Sequence, residues 1–188
     1  MDLKARVKNI LITPRSEWQV IADEPADIAS LYTSYILPMA AIRPVCGAIG
    51  MSVVGIMGFR IGFGTALVSA IVQYILSLIA VYVAALIASK LAPAFGGRDN
   101  LVQGLKLIAY SATASWVGGV FALIPLLSIL GALVSLYSLY LLFSGAAVMM
   151  SVPEDRAVGY AAAVIIATIG VFLVLFYLAA SIGMRAMM

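Results

Sequence analysis

Apolar residues in this chain come in runs of about twenty, separated by short charged or glycine-rich stretches. That spacing belongs to helices that cross a bilayer, since a membrane barrel shows shorter segments alternating apolar and polar. Five runs predict five spans, at about residues 37–57, 66–89, 105–124, 126–150 and 158–181. The third and fourth, Leu107 to Ile124 and Leu126 to Met150, meet at Pro125 with no charge between them. The chain is therefore expected to reverse within or at the face of a bilayer, as a transmembrane hairpin. The open ends of that hairpin carry Arg98, Asp99 and Lys106 on one side and Glu154, Asp155 and Arg156 on the other, so both sit in water at one face.

Ahead of the spans the periodicity shortens. Leu3, Val7, Ile10 and Leu11 share a helical face with Lys4, Arg6 and Lys8 at its margins, the pattern of a short helix lying on an anionic surface. The apolar run of Ile10 to Ile12 is too short for a signal peptide. Thr13-Pro14 opens a second short helix, on which Trp18 is expected to anchor at the headgroup level. Asp23 to Asp27 reads as a solvated acidic turn. The expected organisation is a cytoplasmic, interfacial segment over residues 1–30 and a five-span membrane domain over residues 31–188.

Composition strengthens this reading. The chain is 64% hydrophobic and 10% charged, with a mean hydropathy of +1.14, too little polar surface to cover a soluble globule. The fold class is an all-α integral membrane bundle. The single cysteine, Cys46, excludes an internal disulfide, and the absence of histidine removes the commonest metal ligand and proton carrier. No Asp or Glu occurs between Asp27 and Asp99 or between Asp99 and Glu154. A proton-coupled pump or an intramembrane aspartyl protease needs such a group at depth. No catalytic residue, metal site or cofactor is expected, and the chain reads as non-enzymatic.

Polar residues within the runs supply the candidate sites. Thr65, Ser69, Gln73 and Ser77 recur at every fourth position of the second span and, with Ser111 and Ser115 on the third, form a stripe expected to face protein. The stripe serves either helix packing or a solute path. Ala80, Ala84 and Ala88, and likewise Gly159, Ala163 and Ala167, are small-residue faces that permit close helix contact. Arg43, between Pro38 and Pro44, is the one charge expected within the hydrocarbon, snorkelling to cytoplasmic phosphates or holding an anionic group. Arg98 with Gly96, Gly97 and Lys106 is a second candidate, in which backbone amides at the start of the third helix hold a lipid phosphate.

Lys4, Arg6, Lys8, Arg15, Lys90, Arg98, Lys106 and Arg156 fall on one side of the predicted spans, and Arg60 and Arg185 on the other. Basic residues accumulate on the cytoplasmic side, which places the amino terminus there and the carboxyl terminus outside. Topology and anionic headgroups account for the basic excess, so no nucleic-acid partner is called for. The expected partners are membrane lipids and other membrane proteins, in a homo- or hetero-oligomer.

In order and spacing, three segments resemble the Yip1 domain family: Thr13-Pro14-Arg15-Ser16-Glu17-Trp18-Gln19-Val20-Ile21; Phe95-Gly96-Gly97 leading into Leu105-Lys106-Leu107-Ile108-Ala109-Tyr110-Ser111; and Leu136-Tyr137-Ser138-Leu139-Tyr140 through Val152-Pro153-Glu154-Asp155-Arg156-Ala157-Val158-Gly159-Tyr160. The resemblance implies a five-span bundle with a cytosolic amino terminus. It also implies kinship with eukaryotic proteins of secretory-pathway membranes that form complexes with one another and contact small prenylated GTPases. The short form looks like a bacterial inner-membrane member. The functional expectation is a protein that organises membrane lipid or partner proteins, the alternative being a passive or sodium-linked small-solute transporter using the polar stripe.

Overall fold

A computed structural model describes residues 2–186, with side chains as far as Val174. The described residues are helical apart from turns and one isolated bridge between Ile56 and Phe59. Among the described residues, four helical stretches are long and apolar enough to cross a membrane: Ile28–Val54, Phe63–Phe95, Pro125–Met150 and Glu154–Val174. In chain order the elements are α1 (Leu3–Ile12), α2 (Pro14–Asp23), α3 (Ile28–Val54), α4 (Phe63–Leu91), α5 (Leu101–Ser111), α6 (Thr113–Gly118), α7 (Ser128–Met150) and α8 (Glu154–Ala186).

The first span begins nine residues earlier than the apolar run predicts, because Asp27 caps it. Its carboxylate accepts from the Ser30 amide at 2.6 Å, and Ser30 Oγ accepts in turn from the Asp27 amide at 3.1 Å. These bonds hold the exposed Asp27 carboxyl below its ordinary range. The boundary expected at residues 30/31 therefore falls inside a helix. Pro38 and Pro44 have no amide to donate, and α3 responds by widening to π geometry over Tyr32–Ile36 and by breaking at Ala41.

The third predicted span differs more. Residues 105–124 do not form one helix: α5 breaks at Ala112, α6 follows, and a tight 3₁₀ turn over Gly119–Leu123 completes the passage. Irregular backbone is tolerated at membrane depth where protein surrounds it. Leu105, Leu107, Ala109, Tyr110, Thr113, Ala114 and Trp116 are all buried, and α3, α4 and α7 pack against this stretch. The reversal at Pro125 does form. Ile124 is extended between two short 3₁₀ turns, and Gly118 and Gly131 meet so closely that a Cβ on Gly118 would lie 2.9 Å from the Gly131 carbonyl.

Lipid tails are as apolar as leucine, so helices in a bilayer adhere through close approach and interhelical hydrogen bonds. Ala84 and Ala88 are buried on α4 as their spacing predicts, whereas α8 packs through Ala157, Tyr160, Ala161 and Val164 and leaves Gly159 exposed. The carboxyl-terminal part of the fifth predicted span, with Arg185, lies outside the described side chains. Tyrosine hydroxyls supply many of the cross-links: Tyr32 donates to the Leu78 carbonyl at 2.9 Å, Tyr74 to Leu37 at 3.0 Å and Tyr160 to Ala88 at 2.7 Å. In the core, Tyr35 and Thr113 hydroxyls meet at 2.7 Å.

The bundle has two distinct ends. The near face carries α1 and α2, the turn from α4 to α5 and the start of α8, tied together by the Arg98 amide donating to the Met150 carbonyl at 2.9 Å. Here Lys90 and Ser89 hydrogen-bond the exposed Asp99 carboxylate and hold it below its ordinary range. The far face carries the glycine-rich turn after α3, where Gly55, Met57 and Gly58 take positive φ, and the reversal at Ile124–Leu127.

Candidate functional site

Arg43 stands where three close backbone approaches converge. A Cβ on Gly119 would lie 2.6 Å from that of Arg43, so the 3₁₀ turn can pass α3 only because position 119 is glycine. Gly50 lies against the Ala122 carbonyl in the same way, and Gly118 against Gly131. These contacts draw α3, the 3₁₀ turn and α7 together and leave a cleft on each side of Arg43. One, of about 30 Å³, is lined by Arg43, Ser115, Ser128 and Ser135; the other, of about 210 Å³ between α3 and α4, by Arg43, Ser69 and Gln73. The guanidinium is exposed, and among the described residues it has neither ion pair nor hydrogen bond.

Its depth differs from the expectation. Because α3 begins at Ile28, Arg43 lies about 22 Å along the helix from the near end, at ~1.5 Å per residue. It is level with Gly119 and with the first two turns of α7, toward the far face of the bundle.

The polar stripe does not assemble into one path. Ser69 and Gln73 share the larger cleft, whereas Ser115 lines the smaller and its amide is taken by Ser138 Oγ at 3.0 Å. Ser77 donates to its own helix at Tyr74, Thr65 is exposed, and Ser111 is buried in the core with no hydrogen-bond partner for its hydroxyl. Only part of the stripe faces protein.

The second candidate is taken up in part by the fold. The Gly96, Gly97 and Arg98 amides donate to Pro93, Ala92 and Met150 carbonyls, which leaves none of the three for a phosphate. Lys106 is 3% exposed, and its ammonium donates to the carbonyls of Ile21 at 2.8 Å and Glu24 at 2.5 Å. Those are orphan carbonyls at the end of α2, where the helix dipole is negative, so Lys106 acts as a C-cap reaching in from the bundle.

Trp18 is likewise not a headgroup anchor. It is fully buried, donates from Nε1 to Ser144 Oγ at 3.0 Å and meets Tyr110 edge-on. It fits because position 145 is glycine: a Cβ there would come within 2.6 Å of the indole ring. The amino-terminal helices thus lie on protein. Arg6 is buried, pairs with Glu17 and Glu24 and sits over the Tyr110 ring, and Tyr137 donates to the Leu11 carbonyl at 3.1 Å. Run length and periodicity do not reveal Arg6, Glu17 and Glu24 as a cluster. The available signal was that Arg6 precedes Ile10 by four residues and Glu17 adjoins Trp18, which places both charges beside core positions.

Among the described residues no group of histidine, cysteine, aspartate and glutamate is arranged to hold a metal ion. The Yip1 domain family model matches residues 8–176, nearly the whole chain. No curated protein and no solved structure matches it.

Proposed function

This chain belongs to the Yip1 domain family and is an integral membrane protein, and we propose that it is a non-enzymatic lipid-organising protein whose Arg43 holds a phospholipid phosphate at the far face. The observation that carries the proposal is an exposed guanidinium without a protein partner, set within the apolar stretch Ile28–Val54 and flanked by serine hydroxyls. An unpaired arginine at the centre of a membrane helix costs about 2.5–3.5 kcal/mol on insertion scales, and a phosphate that accepts its hydrogen bonds removes much of that cost. Ser135 donates to the Gly131 carbonyl, so Ser115 and Ser128 are the hydroxyls beside the planar cation that can serve a phosphate oxygen. The separation of Gln73 from Ser115 speaks for lipid over a solute path, since a path would bring them into one cavity.

The reading extends to topology and location. The interrupted passage α5–α6 is the fifth crossing, satisfied by burial in protein. The amino terminus is cytoplasmic, so Arg43 faces the outer leaflet, and the membrane is a bacterial inner membrane. Anionic phospholipids are the lipid partners, and the chain associates with itself or other membrane proteins.

Native mass spectrometry of gently extracted protein tests the site. Arg43→Gln should lose bound phosphatidylglycerol while its melting temperature is held. Arg43→Lys should retain it at least several-fold less well than wild type, because an ammonium does not reproduce the bidentate fork. Equal retention in all three proteins would overturn the proposal.

A further inference from the structure

A second cleft lies on the opposite half of the molecule, between α2, the near-face half of α7 and the first turn of α8. It holds about 590 Å³ and is lined by Arg15, Gln19, Phe143, Ala147, Val148 and Glu154, with Tyr140 at its edge. That is within the range of ~300–1,000 Å³ for small-molecule sites. Arg15 and Gln19 stand four residues apart, hence side by side on one face of α2, and both are exposed. Glu154 opens α8. Arg15 and Glu154 line the same cleft without forming an ion pair with each other, and neither has another charged partner among the described residues. Asp155 and Arg156, which follow Glu154 in the chain, approach one another at 3.9 Å. Phe143, Ala147 and Val148 continue into the exposed surface of α7 at Leu136 and Leu139, so the apolar wall runs without interruption onto the outside of the bundle.

We propose that this cleft binds a phospholipid with a zwitterionic head, its phosphate on Arg15 and Gln19, its ammonium on Glu154 and an acyl chain along Phe143 and Val148. A cation and an anion that line one cavity without pairing complement a ligand that carries both charges. A purely anionic head would leave Glu154 facing a phosphate. The apolar wall continuous with the membrane-facing side of α7 selects a ligand with hydrocarbon attached over a free solute. The site is independent of Arg43, since the two lie toward opposite faces and share no residue.

The test is lipid retention by native mass spectrometry from mixed micelles holding equal phosphatidylethanolamine and phosphatidylglycerol, performed on the Arg43→Gln protein so that the far-face cleft does not contribute. The expected preference for phosphatidylethanolamine is about tenfold. Glu154→Gln should bring that ratio close to one while total retention is held, and Arg15→Gln should reduce retention of both lipids several-fold. Both side chains are exposed, and unchanged melting temperatures verify that the variants fold. A ratio near one before substitution, a ratio unmoved by Glu154→Gln, or phosphatidylethanolamine retention unmoved by Arg15→Gln would each overturn the proposal, whatever becomes of Arg43.

Discussion

Toward the near face Arg6, Glu17 and Lys106 are buried and each meets partners inside the protein, whereas toward the far face Arg43 is exposed and meets none among the described residues. The difference follows from how each charge enters the bundle. Arg6 and Glu17 arrive on α1 and α2, two short helices joined at Thr13, so acid and base are brought together by the turn between them. Lys106 enters beside the end of α2, where carbonyls await a donor. Arg43 arrives alone in an apolar helix that faces glycine and alanine backbone, and nothing of opposite charge lies near it in sequence. The buried near-face charges fix the protein's own architecture, whereas no described group of the protein satisfies Arg43.

The largest expected effect breaks the near-face side of this comparison. Arg6→Ala leaves Glu17 buried without its partner and should cost about 3–5 kcal/mol, read as a lower unfolding midpoint in detergent. Replacing both with apolar residues, Arg6→Met with Glu17→Leu, should recover much of that loss, because no uncompensated charge remains. A single substitution costing under about 1 kcal/mol would show that this pair does not fix the amino-terminal helices.

A smaller effect separates a close-packed glycine from an open one. Gly145→Ala pushes a methyl into the Trp18 ring and should destabilise by about 1–3 kcal/mol. Gly159→Ala meets only Phe95, at 3.6 Å, and should be neutral or stabilise by up to about 1 kcal/mol through reduced helix entropy. The ranking, measured by thermal unfolding of both variants, reverses if Gly159 belongs to a helix contact.

The mildest perturbation reads only which face is which. In a Cys46→Ala background, a cysteine placed at Met57, which is 99% exposed at the far face, should react with an impermeant thiol reagent in intact cells. One placed at Asp99 should not. Labelling at Asp99 alone would invert the orientation and reassign Arg43 to the inner leaflet.

Much of the fold was legible because bilayer thickness constrains sequence directly. The second and fourth spans and the reversal at Pro125 follow from run length and backbone chemistry alone. Legibility failed where a residue's partner is remote. Trp18 and Ser144 are 126 residues apart, and Lys106 and Ile21 are 85 apart. An amphipathic helix with an indole reads the same whether its apolar face meets lipid or protein. The amides of Gly96 and Gly97 are bonded within their own turn, which their place ahead of the third helix does not reveal. Arg43 was legible as an anomaly, but its depth depended on where the helix begins.

The sequence by itself determined that this is an all-helical membrane protein, where most of its helices run and which charge lies inside one of them, because burying an unpaired backbone or charged group in hydrocarbon is costly enough to be written into local composition. Only the tertiary structure decided that the amino-terminal helices are part of the core, that the third passage is a broken axis and that Arg43 opens toward the far face. Those outcomes rest on close approaches at Gly119, Gly131 and Gly145 and on hydrogen bonds between distant residues, and neither leaves a periodic trace along the chain.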